Sequence, residues 1–551
     1  MKPCVRTFPL ALLAGCLAFA AARAQDTTES DLAHKVDQVF AAYDRPDTPG
    51  CALGVVKDGE FIYRKGYGRG SLELGVPLTT QSVFYLASVS KQFTTASVVL
   101  AAEQGYLSLD DDIRKYVPEL PAYVRPVSLR QMLHHTSGFR DVLTLLELSG
   151  RNLEDVHSTA EMVDLVSRQK ALNFAPGEQY EYSNTNYWLM SVVIPRATGK
   201  SLAEFAEENI FKPLGMIHTR FHDDRNVVVP GRIPAYGVRP AGGYQLNWST
   251  NFDAIGDGGL LSSVDDLLLW ERNFLQNTLG KGSLLRELQT RGTLAGGKTI
   301  EYALGLGIGE HRGLDMVQHG GAMFGYRTAI VRFPDQRLSV ITLCNVGAVR
   351  ARELATQVAE IYLGSALAAA PAASSVRTDL QSLTGMYRSR TSHSVVQVAV
   401  AEGELSLDGQ VFKPVTSGHF ASTSRDTIEF EFAAGKAAAL TLAAVDTKPE
   451  RFERSEPYTA AAADLARYTG DFFSSELQAT YRFAVDHGKL TLAVSWLAPV
   501  ALEPVAPDEF RSANGTAVVF RRDSTGNIGG LDLFAWGIKD VAFSRVAPST
   551  H

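Results

Sequence analysis

Runs of apolar residues with strand-like composition occur in two pairs that lie far apart in the chain. Cys51 to Val56 and Phe61 to Tyr67 flank Lys57-Asp58-Gly59-Glu60, and an Asp-Gly step between β-rich runs is a strong hairpin signal. Arg327 to Phe333 and Leu338 to Leu343 are joined by a Pro-Asp turn. The sequence therefore predicts two β-hairpins.

Apolar residues recur at helical spacing between these hairpins. Val89 to Gln104 is a helix-like run, and Tyr187 to Thr198 is an apolar run that predicts a second helix. Thr159 to Lys170 alternates charged and apolar residues at the same spacing, which predicts a helix with a solvated face. Because strands and helices both occur, we expect a mixed α/β domain.

The last third of the chain repeats itself. Thr384-Gly385-Met386-Tyr387 recurs as Thr469-Gly470-Asp471-Phe472 at an offset of 85 residues, and Arg454 recurs as Arg545 at an offset of 91. Each copy is a series of short alternating strands with Gly and Asp turns, which is typical of a small antiparallel barrel. Ala366 to Ser375 precedes the first copy and has the composition of a linker.

Length and charge narrow the class of protein. A chain of 551 residues exceeds what one core usually holds, in agreement with several domains. The formal net charge is −7 and there is no basic run, which argues against nucleic acid and anionic membrane surfaces as partners. No run after the first 24 residues approaches the length of a membrane span.

Residues 1–24 have the pattern of a secretory signal peptide. A basic start is followed by the apolar segment Phe8 to Ala22 and by an A-x-A cleavage site that ends at Ala24. A periplasmic or secreted protein is therefore expected. Leu13-Ala14-Gly15-Cys16 also has the form of a lipoprotein processing site, but the residues after Cys16 are too apolar for a typical lipoprotein start, and we favour simple export.

Two cysteines remain once this leader is removed. Cys51 and Cys344 both lie in strand-like runs. Buried free thiols and one cross-strand disulfide both fit this placement, and the sequence leaves the choice open.

The strongest candidate for chemistry is Ser88-Val89-Ser90-Lys91 at the start of a predicted helix. A serine hydroxyl needs a base to become a nucleophile at neutral pH, and Lys91, three residues on, is within side-chain reach. Apolar neighbours such as Phe84 and Phe93 would desolvate the ammonium and lower its pKa. The helix N-terminus would disfavour the ammonium further and offer backbone N–H groups to an oxyanion.

Other short motifs are interpreted as structural. Ser167-Arg168-Gln169-Lys170 repeats the Ser-x-x-Lys spacing, but we place it on a solvated helix face, and we read Ser512-Ala513-Asn514 as a turn. His134-His135-Thr136-Ser137-Gly138 has no further ligand at zinc spacing, so a structural turn is favoured over a metal site. The glycine-rich loop Gly256 to Asp266 enters a helix with a capping-box pattern and lacks the form of a phosphate loop.

Two further segments carry candidate site residues. Tyr182 and Asn184 are two residues apart at a loop-to-helix junction, where a tyrosine could carry a proton and an asparagine could orient an amide. An Asn helix cap beside a packed Tyr is the structural alternative. His319-Gly320-Gly321 precedes the second pair of strands, and its glycines let the backbone pass close to a ligand.

These motifs together resemble the serine β-lactamase and penicillin-binding-protein superfamily, in particular its class C-like branch of D-aminopeptidases, D,D-peptidases and related esterases. Ser88-Val89-Ser90-Lys91, Tyr182-Ser183-Asn184 and His319-Gly320-Gly321 occur in the order and at the distances of that family. The resemblance covers roughly residues 30–365.

The resemblance implies a role for each motif residue. Ser88 would be the nucleophile that forms an acyl-enzyme, with Lys91 as the base beside it. Tyr182 would serve the proton relay, and Asn184 would hold the substrate amide. No metal or cofactor is implied.

The same resemblance implies an oxyanion hole formed by the backbone N–H groups of Ser88 and Ala322, with Gly320 and Gly321 lining the substrate site. His319 is a catalytic-site residue that takes the place of a lysine found in class C β-lactamases and many penicillin-binding proteins. Since histidine is mostly neutral near pH 7, a substrate carboxylate would be held less strongly here.

The implied organisation is a signal peptide (1–24), a β-lactamase-like serine hydrolase domain (25–365), a linker (366–378) and two lipocalin-like barrels (379–455 and 456–551). The first domain would have an antiparallel sheet flanked by helices. In D-aminopeptidases of this family one barrel can reach over the active site, and we expect the barrels to affect substrate range more than chemistry.

The sequence therefore predicts an exported serine hydrolase that acts on small peptides, amides or esters and resembles a D-aminopeptidase. A β-lactamase or carboxylesterase of the same fold is the first alternative. No Gly-x-Ser-x-Gly occurs, which disfavours the α/β-hydrolase type of esterase. A non-catalytic protein that binds a ligand in its barrels is an alternative of another class.

Overall fold

A computed structural model describes residues 29–122, 125–247, 251–369, 379–422, 426–433, 436–443, 448–495 and 497–547. The expected signal peptide, residues 1–24, lies outside the described residues, and so do residues 370–378 of the expected linker. Within the described ranges, no helix is long and apolar enough to cross a membrane.

The chain before residue 370 combines strands with helices. The strands are β1 (Cys51–Lys57), β2 (Glu60–Tyr67), β3 (Arg69–Ser71), β4 (Val76–Pro77), β5 (Phe84–Tyr85), β6 (Arg220–Phe221), β7 (Ala235–Val238), β8 (Tyr244–Asn247), β9 (Leu260–Ser262), β10 (Gly307–His311), β11 (Leu314–Met323), β12 (Tyr326–Phe333) and β13 (Leu338–Cys344). The α-helices are α1 (29–40), α2 (Lys91–Glu103), α3 (Leu129–Leu133), α4 (Val142–Leu148), α5 (Thr159–Ser167), α6 (Asn184–Trp188), α7 (Met190–Thr198), α8 (Leu202–Ala206), α9 (Lys212–Leu214), α10 (Val264–Gln276), α11 (Leu284–Gln289) and α12 (Ala351–Leu363). Shorter helical turns are the 3-10 segments Ala87–Ser90, Ile113–Lys115 and Gly364–Ala366 and the π segment Glu207–Phe211.

The main sheet is antiparallel and has the strand order β10-β11-β12-β13-β1-β2. It contains both predicted hairpins. The β1–β2 turn places Asp58 and Gly59 at φ 54° and 84°, the left-handed conformations of a tight hairpin turn, and this is why an Asp-Gly step suits the position. Pairing of β1 with β13 joins the two hairpins, although they are distant in sequence.

Helices cover both faces of this sheet. On one face α1 and α12 are packed, and Phe40 of α1 stacks on Tyr67 of β2 with ring centroids 4.6 Å apart. On the other face α10 contacts β1, and α2 lies in the same core, buried from Lys91 to Ala101. α2 is therefore buried on all sides, including its polar residues Gln92, Thr94 and Ser97. The predicted class, an antiparallel sheet flanked by helices, is confirmed.

The predicted helices are present with small differences at their ends. The helix expected over Val89 to Gln104 is a 3-10 turn followed by α2. The one expected over Tyr187 to Thr198 is divided into α6 and α7, and it begins three residues earlier, at Asn184. Ser263 caps α10 by accepting a hydrogen bond from the Asp266 N–H, the second of the two capping patterns expected there.

The two remaining cysteines form a disulfide. Cys51 and Cys344 are directly opposite each other in the β1–β13 ladder, with Cα atoms 4.0 Å apart, and both are fully buried. The choice left open by the sequence is thereby decided in favour of a cross-strand bond within the main sheet.

The last third forms two closed antiparallel barrels, each of eight strands that pair in chain order. The first barrel consists of β14 (Gly385–Ser389), β15 (Val395–Ala401), β16 (Glu404–Leu407), β17 (Gln410–Thr416), β18 (His419–Ser422), β19 (Thr427–Ala433), β20 (Lys436–Ala443) and β21 (Glu450–Ser455). The second consists of β22 (Gly470–Ser474), β23 (Ala479–Asp486), β24 (Lys489–Val494), β25 (Val500–Ala506), β26 (Glu509–Arg511), β27 (Ala517–Arg522), β28 (Ile528–Ala535) and β29 (Ile538–Arg545). A 3-10 turn, Leu380–Leu383, precedes the first barrel, and the second is preceded by α13 (Ala462–Leu465) and the 3-10 turn Ala466–Tyr468.

The sequence repeat has a structural counterpart where each barrel closes. Arg454 of β21 donates to the Thr384 carbonyl and lies 5.5 Å from the Tyr387 ring centroid. At the equivalent place in the second barrel, Arg545 donates to the Thr469 carbonyl and lies 5.3 Å from the Phe472 ring centroid. The repeated arginine therefore joins the last strand to the first in both copies.

Candidate active site

Ser88 lies in the 3-10 turn Ala87–Ser90 that leads into α2. Ala87 has a φ of 49°, a left-handed conformation that costs a non-glycine residue about 1–2 kcal/mol. Strain of this kind persists only where the surrounding structure enforces it, and it is common at functional sites. The turn leaves Ser88 half-buried between two buried neighbours, Ala87 and Val89.

Lys91 is fully buried and its Nζ atom contacts Ser88 Oγ at 3.1 Å. It also donates to Asn184 Oδ1 at 2.9 Å and to the Asp257 carbonyl oxygen at 2.7 Å. Both of these oxygens can only accept hydrogen bonds. A neutral Lys91 amine would give them its two N–H groups and turn its lone pair towards the Ser88 hydroxyl, which is the arrangement that a base for Ser88 requires.

Two buried carboxyl groups affect the pKa of Lys91. Burial lowers the pKa of Lys91 from its ordinary value of 10.5, and the nearby carboxylates of Asp257 and Asp141 oppose this shift. Burial also raises the pKa of both carboxyl groups, against the effect of the Lys91 ammonium. One amine and two carboxyl groups therefore share a site from which water is excluded.

These two carboxyl groups were not predicted as site residues. The loop Gly256 to Asp266 was interpreted as structural, but its Asp257 carbonyl binds Lys91, so that interpretation is wrong for Asp257. Asp141 follows the His134 to Gly138 turn, and its Oδ2 atom accepts the Asn184 N–H at 2.6 Å. No spacing pattern relates either residue to Ser88, because tertiary contacts alone bring them together.

Tyr182 and Asn184 lie where the chain enters α6, as predicted. Asn184 is buried and holds Lys91 as described. The Lys91 Nζ atom lies 4.8 Å from the Tyr182 ring centroid. Burial raises the pKa of the Tyr182 hydroxyl well above 10, while its hydrogen bond with Ser88 opposes the shift. A neutral tyrosine next to Ser88 and Lys91 can pass a proton between them.

His319 is buried in β11 and is held in one tautomer. Its Nδ1 atom lies 2.7 Å from the Gly320 carbonyl oxygen, which can only accept, so Nδ1 carries the proton. Nε2 then accepts from the Tyr302 hydroxyl at 3.0 Å. Burial, with further contributions from Lys91 and Arg352, lowers the pKa of His319 to about 3 despite the Gly320 carbonyl. His319 is therefore neutral near pH 7.

The two adjacent histidines have separate structural contacts. His134 contacts the Thr290 carbonyl, whereas His135, at a φ of 58°, packs its ring 4.1 Å from that of Tyr182. The His135 Nδ1 atom accepts the Ser183 N–H at 3.1 Å. The turn thus supports the Tyr182 to Asn184 segment. Among the described residues, no group of three or more His, Cys, Asp or Glu side chains could hold a metal ion.

Strand β11 passes against the Ser88 turn at Gly321. A Cβ atom on Gly321 would lie 2.3 Å from the Leu86 carbonyl oxygen and 3.1 Å from the Ser88 nitrogen. Thr328 of β12 donates to the same Leu86 carbonyl at 2.7 Å. The close approach of the two backbones explains the glycine and brings Ala322, the next residue of β11, to the mouth of the site.

The three motifs line one cleft with a volume of about 980 Å³. Lys91 lies beneath Ser88, and the other predicted site residues all line the cleft: Ser88, Tyr182, Asn184, His319, Gly320, Gly321 and Ala322. The sequence did not indicate Tyr180, Tyr302 or the arginines of the far wall, Arg327, Arg350 and Arg352.

The second barrel supplies one wall of this cleft. Trp536, in the turn between β28 and β29, lines the cleft, is 60% exposed and lies 6.4 Å from the Tyr182 ring. The next residue, Gly537, accepts the Asp141 N–H at 3.0 Å. A barrel turn therefore lines the same cleft as Ser88.

The two motifs set aside in the sequence lie away from Ser88. Ser512 and Asn514 bond to each other in a turn of the second barrel, as predicted. Ser167 to Lys170 spans the end of α5, and Lys170 is exposed as expected, but the rest of the segment is partly or fully buried. Gln169 is buried, and the Lys170 N–H donates to Glu476 of the second barrel, so this segment is an interface between domains.

The fold and the site together define a serine hydrolase: an antiparallel sheet flanked by helices, with a buried lysine beneath a serine at the start of the central helix. A family profile described as Beta-lactamase matches residues 36–363. This match covers more than half of the chain, and the chain belongs to that family.

Relatives agree with this assignment, and a solved structure has the same fold. The chain is 33% identical to a D-aminopeptidase of Gluconobacter oxydans over 307 residues, which is 54% of this chain and 56% of that protein. It is 27% identical to a D-aminopeptidase of Brucella anthropi over 539 residues, which is 91% of this chain and 96% of that protein. An octameric penicillin-binding protein homologue from Pyrococcus abyssi has the same fold, with a TM-score of 0.54, 20% identity and coverage of 86% of this chain and 98% of its own.

Proposed function

We propose that this serine hydrolase forms an acyl-enzyme on Ser88 and releases the N-terminal residue of small peptides or amides, as a D-aminopeptidase does. The observation that carries the proposal is the contact of Lys91 Nζ with Ser88 Oγ at 3.1 Å, with the other Lys91 donors engaged by Asn184 and Asp257. The relatives named D-aminopeptidase support the choice of substrate class.

The proposed reaction has two stages. The Ser88 hydroxyl transfers its proton to neutral Lys91 while Oγ attacks the substrate carbonyl, and the oxyanion is bound by the backbone N–H groups of Ser88 and Ala322. The C–N bond breaks and the leaving amine takes the proton back from Lys91 by way of Tyr182. Water then attacks the acyl group, giving its proton to the same relay, and the free acid leaves as Ser88 is restored.

The first experiment is to expose the purified chain to a serine-reactive phosphonate and to map the adduct by mass spectrometry. We expect one adduct, on Ser88, and, in a separate sample that has not been phosphonylated, turnover of D-aminoacyl amides in preference to their L-enantiomers. An adduct on Ser88 with no amide turnover would favour the esterase or β-lactamase alternative. A folded sample without an adduct would favour the ligand-binding alternative and overturn the proposal.

We also propose that the protein is exported and loses residues 1–24, because the leader pattern precedes a chain with a disulfide between its two remaining cysteines. N-terminal sequencing of the exported protein should begin at Gln25. A blocked N-terminus at a lipid-modified Cys16 would instead establish the lipoprotein alternative.

Activity should rise as Lys91 loses its proton with increasing pH. Only the neutral amine can accept the Ser88 proton, so kcat/KM should increase as the pH passes the lowered pKa of Lys91. The Asp257 carboxylate opposes that lowering, so Asp257→Asn should lower the pKa further and move the acid limb of the profile to lower pH. The pH dependence of kcat/KM for one amide measures both effects.

The control for this pH shift is Asp265→Asn. Asp265 lies in the same segment but pairs with Arg64 at the surface, at 3.2 Å. Loss of the Asp265 charge should leave the acid limb of the kcat/KM profile at the same pH. Movement of the limb to higher pH in Asp257→Asn would contradict the assigned direction of the Asp257 effect.

His319→Lys should favour substrates that carry a carboxylate. His319 is neutral, whereas lysine adds a positive charge to the cleft, and a hydrogen bond to a charged group contributes about 1.5–3 kcal/mol. The ratio of KM for a neutral amide to KM for the matching peptide acid should rise about tenfold. An unchanged ratio would show that charge at this position does not select the substrate.

A further inference from the structure

Two consecutive residues, Arg140 and Asp141, connect the second barrel to the active site. They follow the His134 to Gly138 turn and precede α4, and both are buried. Neither lines the cleft around Ser88. Their hydrogen bonds run in two directions, one set to the barrel and the other to the segment that holds Lys91.

On the barrel side, Arg140 makes a buried ion pair with Glu476. Their atoms are 2.6 Å apart, and each side chain is 3% exposed. The guanidinium also donates to the carbonyls of Lys539 and Asp540, at 2.8 and 3.1 Å. The Asp141 N–H donates to the Gly537 carbonyl. Moving the barrel away would break this ion pair and leave a buried charge uncompensated, which is costly. The pair and these further bonds therefore stabilise the docked position of the barrel.

On the catalytic side, the same two residues hold the start of α6. The Arg140 carbonyl accepts from Thr185 Oγ1 at 2.6 Å, and Asp141 Oδ2 accepts the Asn184 N–H at 2.6 Å. Asp141 Oδ1 also accepts the Leu143 and Thr144 N–H groups, so its side chain cannot turn away without losing them. Asn184 in turn binds Lys91 Nζ.

We infer that Arg140 and Asp141 are positioning residues through which docking of the second barrel sets the place of Asn184 and Lys91, and hence the rate of acylation at Ser88. This inference rests on the proposed function. It differs from the expectation drawn from the sequence, that the barrels affect substrate range more than chemistry. The barrel would then influence kcat as well as KM.

The geometry gives the direction of the effect. If the barrel turn moves, Asp141 loses a partner, and the Asn184 N–H that it holds is free to shift. Displacement of a catalytic group by about 1 Å commonly costs about 100-fold in rate. Since the Asp141 carboxylate also stabilises the Lys91 ammonium, its displacement would lower the pKa of Lys91.

The test uses full-length variants altered only on the barrel side. Glu476→Gln removes the charge that pairs with Arg140. Gly537→Ala places a Cβ 2.8 Å from the Asp141 Cβ, at a φ of 66° that disfavours alanine. Both should lower kcat and the rate of Ser88 phosphonylation about 10- to 100-fold, change KM less, and move the acid limb of the pH profile to lower pH.

The matched control is Tyr481→Phe. Tyr481 belongs to the same barrel and donates across the same interface to the Leu148 carbonyl at 2.8 Å, but Leu148 makes no contact with Asn184 among the described hydrogen bonds. Its kcat should stay within about twofold of the parent. If all three variants lose kcat equally, general loosening of the interface explains the result and the inference is wrong.

Other outcomes are equally decisive. If Glu476→Gln and Gly537→Ala change only KM or substrate range, the barrel is a wall of the cleft and not a support for Lys91. If Glu476→Gln does not fold, Gly537→Ala decides, since it leaves the buried ion pair of Arg140 and Glu476 intact. Failure of the parent chain to react at Ser88 would refute the proposed function itself, and this is checked before any variant is compared.

Discussion

Replacing Lys91 by methionine should slow phosphonylation of Ser88, and hydrolysis of any amide substrate, by about 10²- to 10⁴-fold. Lys91 is the basic group nearest to Ser88 Oγ, at 3.1 Å, and the hydroxyl is a poor nucleophile without a base. Methionine has a similar length and suits a site that is fully buried. The variant should therefore fold, and its lower rate should reflect the missing base and not unfolding. Intact-mass measurements of adduct formation against time give the rate directly.

The chain supplies a matched control in its second Ser-x-x-Lys segment. Lys170 is exposed at the end of α5 and lies away from the cleft, so Lys170→Met should react at the parental rate. If Lys91→Met keeps its rate within about tenfold, Lys91 is not the base, and Tyr182 would be the remaining candidate for that role. Because the two segments share only the Ser-x-x-Lys spacing, the comparison also shows whether reactivity depends on that spacing or on the burial of the lysine.

Those two segments show what sequence spacing can and cannot establish. Ser88 and Ser167 each precede a lysine by three residues, but only Ser88 stands at the entry of a long apolar helix. The polar residues at the start of α2 are buried together with its apolar ones, and this burial, which the sequence indicated only through apolar neighbours such as Phe84 and Phe93, is what lowers the pKa of Lys91. The order of three motifs then indicated which segments share the cleft.

The supporting groups of the site could not be predicted in this way. Asp141 and Asp257 approach Lys91 through loops whose path depends on the packing of α4 and α10. Tyr302, whose hydroxyl donates to Nε2 of His319, precedes β10 in a segment without a pattern of its own. Single residues that act through tertiary contacts leave no periodicity in a sequence.

The barrels show the same difference between local pattern, which is visible in the sequence, and tertiary contacts, which are not. Alternation and the repeat predicted two small antiparallel barrels, and the equivalent contacts of Arg454 and Arg545 explain why the repeat is visible. Docking of the second barrel depends on Glu476 and on the turn at Trp536 and Gly537, which are not part of the repeat identified in the sequence. The unit was predictable from its local pattern, whereas its place against the catalytic domain was not.

Gly321→Ala should reduce activity about 10²- to 10³-fold, the loss expected when an oxyanion-hole donor is displaced. The added Cβ would lie 2.3 Å from the Leu86 carbonyl oxygen, 2.4 Å from Thr328 Oγ1 and 3.1 Å from the Ser88 nitrogen. Real Cβ atoms do not approach backbone atoms so closely, so β11 and the Ser88 turn must separate. The proposed oxyanion donors, on Ser88 and Ala322, lie one on each side of that gap. The measurement is kcat for an amide together with the phosphonylation rate.

Gly320→Ala is the control because it makes the same chemical change one residue earlier. A Cβ on Gly320 would meet only the Thr328 carbonyl oxygen at 3.6 Å, an ordinary contact, so the rate of Ser88 phosphonylation and kcat should stay within about twofold of the parent, and any change should be in KM, because Gly320 lines the cleft. Neither glycine has a positive φ that alanine would find strained, so the two variants differ only in what the new methyl group meets. Equal losses in both would mean that the strand tolerates no side chain here for reasons unrelated to Ser88. Equal activity in both would place the oxyanion hole elsewhere.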